Sequence, residues 1–99
     1  MNGYKRRMEK YRLPKARYME LREYCRTGPR EEIRKALALT KCGTLSHWIE
    51  KHVCESSGWK WSRMEADGIP CNGDTFRVYR AKFYWNLDKI LREKEGEKI

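Results

Sequence analysis

The chain has 99 residues, of which 39% are hydrophobic and 37% charged, and it carries a net charge of +9. A length of this order makes one domain with one modest core and little volume left for a substrate cleft. No apolar run approaches the roughly 20 residues of a membrane span, and the basic N-terminus has no apolar stretch behind it. Neither a membrane partner nor a secretory leader is expected, and the cytoplasm is the default compartment.

Residues 1–17 hold Lys5, Arg6, Arg7, Lys10, Arg12, Lys15 and Arg17 against the single acid Glu9, a net of +6. Two-thirds of the excess charge therefore sits at one end of the chain. Residues 1–12 show no sustained period and read as a basic, flexible arm of the kind that holds phosphate backbones through counterion release. The same charge suits an acidic protein or simple solvation. A single domain is expected over 13–95, with a short tail at 96–99.

Pro14 suits the start of a helix. Tyr18, Leu21 and Cys25 follow at three and four residues on one helical face, and Gly28 ends it. Pro29 opens a second helix with Glu31 and Glu32 in its first turn, where the dipole favours acids. Its inner stripe is Ile33, Ala36, Leu37 and Thr40, and Gly43 breaks it. Thr44 or Ser46 can cap a third helix whose apolar face is Leu45, Trp48, Ile49, His52 and Val53. Ser56-Ser57-Gly58 stops that helix.

The stretch Trp59–Ala66 is ambiguous. Trp59 and Trp61 alternate as in a strand, whereas Ser62–Ala66 suits a short helix. Asp67-Gly68 closes it, and Gly68-Ile69-Pro70-Cys71-Asn72-Gly73-Asp74 reads as a turn leading to a cap at Asn72 or Asp74. Beyond it, Phe76, Tyr79, Phe83, Leu87 and Ile90 fall within about 80° of one another at 100° per residue. That stripe predicts one long helix running to Glu95. The expected fold is all-α, a compact bundle of four to five helices containing a helix-turn-helix, with a long C-terminal helix. The alternative is a winged helix with a β-hairpin at 59–83, favoured by the Asn72-Gly73 turn signal. Against it, strand alternation places Arg80 and Lys82 on the apolar side.

A helix-turn-helix reads bases with the first turns of its second helix. Thr75, Arg77, Arg80 and Lys82 are the candidate DNA contacts on the long helix: arginine can bond guanine, with Arg77 the expected base reader and Arg80 flanking the apolar stripe, while Lys82 and Thr75 can hold phosphate. Arg6, Arg7, Lys10 and Arg12 are the candidate contacts from the arm. Ordinary solvation explains such charges equally well. Val78, Ala81 and Trp85 form a second apolar stripe opposite the first, a candidate surface for a self-partner or a host protein such as RNA polymerase. Trp59 and Trp61, interleaved with Lys60 and Arg63, form a weaker candidate platform for single strands, although such tryptophans more often pack a core.

Cys25, Cys42, Cys54 and Cys71 lack the short spacing of most zinc sites. His47 and His52 lie five residues apart, about 140° on a helix. Reduced, mostly buried cysteines and no metal or other cofactor are the expectation. The chain has no G-x-S-x-G, no phosphate-cradling glycine loop, no H-E-x-x-H and no carboxylate pair in an apolar setting, so an enzyme is not expected.

Two stretches resemble small regulators encoded by phages and prophages of Gram-positive bacteria. One is Tyr11-Arg12-Leu13-Pro14-Lys15-Ala16-Arg17-Tyr18-Met19-Glu20-Leu21. The other is Ile69-Pro70-Cys71, Thr75-Phe76, Arg80, Phe83-Tyr84 and Leu87-Asp88. Together they span about half the chain, as a pattern of spacing. The resemblance is to late transcription regulators of the RinA or ArpU type, with a helix-turn-helix similar to sigma-factor region 4. It implies an all-helical fold that binds double-stranded DNA in a bacterial host cell. Asn72-Gly73-Asp74 departs from the Ser-containing cap common there, which leaves the register of Arg77 open. The second expectation is an adaptor or inhibitor of a host protein.

Overall fold

In the computed structural model, residues 8–55 and 60–97 are described. They form five α-helices: α1 (Lys15–Thr27), α2 (Arg30–Thr40), α3 (Ser46–Cys54), α4 (Trp61–Ala66) and α5 (Gly73–Glu97). No strand occurs among the described residues, so the hairpin alternative fails over 60–83, where helix and turn stand instead. No helix among them is long and apolar enough to cross a membrane.

The helix ends follow from local chemistry. Pro14 and Pro29, both in extended conformation, occupy the positions just before α1 and α2, where a missing N–H costs nothing. The third helix departs from expectation at its start. Neither Thr44 nor Ser46 caps it; a 3₁₀ turn, Gly43–Leu45, runs directly into α3. The Leu45 N–H bonds the Cys42 carbonyl at 3.0 Å, and the Ser46 hydroxyl lies 3.2 Å from the Cys42 sulfur. Continuous turning has taken over the work of a side-chain cap.

The long helix α5 is the spine of the bundle, and α2 packs along it. Asn86 donates to Thr40 Oγ1 at 3.1 Å, and Lys94 reaches Glu32 at 3.4 Å. Rising numbers on α2 meet falling numbers on α5, so the two helices are antiparallel. The α2 stripe expected from spacing is buried throughout: Ile33, Ala36, Leu37 and Thr40. On α5, Phe76, Phe83 and Leu87 are buried, with Tyr79 and Ile90 packed at the edge of the same core. Leu21 and Cys25 of α1, Ile49 and Val53 of α3, and Met64 of α4 complete it. Each large apolar side chain so buried contributes about 2 kcal/mol.

An ionic cluster joins α1 to α5. The Arg17 guanidinium donates through Nε to Asp88 at 2.6 Å and through Nη1 to Glu20 at 2.9 Å. Arg92 donates to both Asp88 oxygens at 3.1 and 3.0 Å. Burial pushes the Asp88 carboxyl up, but the bonds from Arg17 and Arg92 outweigh it and hold the group below its ordinary value. Arg17 Nη2 is buried with no protein partner.

Candidate nucleic-acid interface

The route into α5 begins where α4 stops. The Ile69 N–H bonds the Met64 carbonyl at 3.0 Å, and the Gly68 N–H bonds the Glu65 carbonyl at 3.2 Å. This is a Schellman ending, with Gly68 at φ +86° in the left-handed position that glycine fills without strain. Ile69 and Met64 are both buried in the core, the apolar contact that accompanies the motif. Six residues, 67–72, separate α4 from α5. That is longer than the three- or four-residue turn of a typical helix-turn-helix.

Of the two expected caps, Asn72 is used. Its Oδ1 accepts the Thr75 N–H at 2.8 Å, and its carbonyl accepts the Phe76 N–H at 3.1 Å. This fixes the register that the sequence left open. Asp74 sits in the first turn and pairs with Arg77 at 3.3 Å. Asn72→Ala should lower stability by about 1 kcal/mol in a urea titration, because it strips one N–H of its acceptor at the helix start.

The four α5 candidates separate in this register. Arg77 is exposed, with 52% of its side chain accessible, and is free to leave its weak pairing with Asp74 for another anion. Thr75 and Lys82 are half-buried. Arg80 turns inward, its Nη1 lying 3.0 Å from His52 Nε2 on α3. A guanidinium can only donate, so in this contact His52 Nε2 is the acceptor. His52 also meets the Phe76 ring at 5.3 Å. Arg80 thus serves the α3–α5 junction, a role that its position at the edge of the apolar stripe only hinted at.

The second apolar stripe of α5 has an intramolecular cover. The Tyr11 ring meets Trp85 edge-on at 5.8 Å, and the Lys89 ammonium stands 4.8 Å over the Trp85 ring. Ala81 lines a groove with Met8, Tyr11 and Leu13. Val78 is buried apart from the main core. Of the residues expected in a flexible arm, 8–12 lie against the domain as a strap, while Arg6 and Arg7 fall outside the described residues. Lys10 and Arg12 are exposed on the strap.

Charge is organised by face. Around α2 the cations are matched with acids: Arg30 and Arg34 with Glu50, Lys35 with Glu31 and Glu32, Lys94 with Glu32. Around the strap they are not. Among the described residues, Lys10, Arg12, Lys15, Arg22, Lys82 and Lys89 make no ion pair. Contacts tie several of them to one surface. Arg12 lines the groove beside Ala81 and Tyr84, Arg22 lies 5.9 Å from the Tyr18 ring, and Tyr18 meets Tyr84 at 5.0 Å. Lys89 joins through Trp85 and Tyr11. Arg26 in the last turn of α1 and Lys41 just after α2 lie at the negative ends of their helices, whereas Lys60, also without an ion pair among the described residues, stands at the start of α4. Arg22 and Lys89 belong to this surface, yet their spacing in the sequence gives no sign of it. Only the docking of the strap and α1 on α5 brings them together.

The cysteines and histidines do not gather. His47 lies against Trp48 and His52 against Arg80 and Phe76, and no group of three or more potential ligands forms among the described residues. Burial pushes the Cys25 thiol up to about 12 and raises Cys54 and Cys71 as well, so these are protonated, weakly nucleophilic sulfurs near neutral pH. Trp61 packs against Phe76 at 5.6 Å, half-buried at the foot of α5, which leaves it a packing residue and not an open stacking platform. Trp59 lies outside the described residues.

No family model matches the chain, and comparisons with curated proteins and with solved structures give no match either. The stretches 11–21 and 69–88 come together in space through the Arg17–Asp88 ion pair and the Tyr18–Tyr84 ring contact.

Proposed function

We propose that the protein binds double-stranded DNA as a small helical regulator of phage or prophage origin, acting in the cytoplasm of a bacterial host. The observation that carries this reading is the surface where Lys10 and Arg12 of the strap, Arg22 of α1 and Lys89 of α5 lie without ion pairs among the described residues. A polyanion releases counterions on such a surface and gains affinity without any base contact. Arg77, exposed at the capped start of α5, supplies a fork able to bond a guanine edge. The turn before α5 is longer than in a typical helix-turn-helix, so the first turns of α5 enter the groove from a looser elbow.

In this reading Arg77 specifies and the strap holds. Arg77→Ala should weaken binding to a preferred site by about 1–3 kcal/mol while changing non-specific binding little. Competition of labelled target duplex against random duplex measures both. Absence of salt-sensitive binding to any duplex would sink the proposal. Because Tyr11 covers Trp85, deleting the N-terminal residues would expose an apolar face as well as remove charge; single substitutions at Lys10 and Arg12 are the cleaner probe.

A further inference from the structure

Between the strap, α1 and α5 lies a preformed groove of about 430 Å³ lined by Met8, Tyr11, Leu13, Tyr18, Ala81 and Tyr84, with Arg12 at its edge. From these features we infer that the groove is a docking site for an acidic peptide segment of a partner protein, anchored by one bulky apolar side chain. The inference does not rest on DNA binding.

Three observations lead to that occupant. Most of the lining is apolar, and it is framed by ring contacts between Tyr18 and Tyr84 at 5.0 Å and between Tyr11 and Trp85 at 5.8 Å. Among the α5 residues of the lining, Ala81 has the smaller side chain beside Tyr84, so a bulky residue placed there would take up groove volume. The volume suits one large side chain with part of its flanking backbone. The surroundings then set the charge of those flanks. Arg12, Lys10, Lys15 and Arg22 are exposed near the groove and carry no ion pair among the described residues, whereas Glu9 is the only acid in the lining. An apolar anchor flanked by carboxylates satisfies both features. A nucleic-acid base is a poorer complement, because Tyr84 is almost fully buried and Tyr11 and Tyr18 already meet other rings edge-on, leaving no open face pair between which to stack.

The test uses the full-length protein and a display library of random twelve-residue peptides. The enriched sequences should combine one Trp, Phe, Leu or Ile with at least two acids. A synthetic peptide of that kind should lose about tenfold or more in affinity against Ala81→Trp, which takes up groove volume, and a similar factor against Arg12→Glu, which reverses the rim. Circular dichroism and thermal unfolding check that Ala81→Trp still folds. Arg12 is exposed, so Arg12→Glu decides the matter if Ala81→Trp does not fold. Enrichment of acidic peptides lacking an apolar anchor would mean charge alone is recognised and would overturn the inference. So would a library with no enrichment, or peptides that bind both variants as well as the parent. Duplex DNA shares the cations at the rim and should compete with the peptide at low salt, so the deciding comparison is Ala81→Trp: it should weaken the peptide and leave duplex affinity unchanged, and equal loss of both would overturn the inference.

Discussion

Asp88→Ala is expected to destabilise the protein by about 3 kcal/mol in urea unfolding. The carboxylate side chain is 10% exposed and takes hydrogen bonds from Arg17 and Arg92. Without it, Arg17 keeps its charge at 19% exposure, with Nη2 already lacking a protein partner and only Glu20 left to pair with. The cost is the desolvation of an uncompensated cation, not the intrinsic worth of the pair. A double change to apolar residues, Arg17→Met with Asp88→Leu, should therefore recover most of the loss. If the double variant is as unstable as the single one, packing and not charge is responsible. The pH dependence has a definite sign. The folded Asp88 carboxyl titrates below its unfolded value, near 4, so its contribution is fully present above that value. It fades as pH falls through the lower, folded value. Asp88→Asn should flatten the acid limb of the stability curve.

The second large effect concerns the strap surface. Replacing Lys10, Arg12, Lys15 and Arg22 together with alanine should lower the slope of log affinity against log salt by up to about 3.6, at roughly 0.9 for each phosphate no longer neutralised. Affinity for every duplex should fall together, by orders of magnitude at low salt and less at high salt. Arg77→Ala should leave most of the slope in place. Fluorescence anisotropy over a salt series separates the two. An unchanged slope in the fourfold variant, with duplex binding intact, would place the phosphate-binding residues elsewhere on the molecule.

Much of the architecture was legible because local chemistry and tertiary packing agree here. Pro14, Pro29 and Gly68 punctuate the chain where their dihedral preferences demand it, and Gly28 does so where a Cβ would lie 2.7 Å from the Tyr24 carbonyl oxygen. The spacing of Ile33, Ala36, Leu37 and Thr40, and of Phe76, Phe83 and Leu87, names the faces that become the core. The Trp59–Ala66 stretch was ambiguous because eight residues are too few to establish a period; Trp61–Ala66 is helical, with Met64 buried in the core. The ionic cluster was not legible. Arg17 and Asp88 lie 71 positions apart, and neither stands out among the 37 charged side chains. The second stripe of α5 was visible as apolar, but a stripe does not say what covers it. The nearest sequence signal for the cover is Tyr11 and Leu13, two apolar residues in an otherwise basic run. Arg80 shows the converse: a cation on the border of an apolar face can belong to the interior, and His52, read as part of the α3 apolar face, is the group that draws it in.

The contacts of the strap and α1 with α5 also set how the chain must be assembled. Tyr11 meets Trp85, Tyr18 meets Tyr84 and Arg17 meets Asp88, each across more than 60 positions. Closing a loop that long loses chain entropy before any contact rewards it. Helices form quickly and locally, but this bundle cannot complete its core until its first and last helices collide. Its folding is expected to be slow for an all-helical domain of this size, nearer to mixed α/β chains than to simple up-and-down bundles. Because that collision limits the rate, these contacts are already forming in the transition state, so strengthening them should speed folding more than it slows unfolding. The seam between strap and spine is thus where the speed of assembly would be tuned.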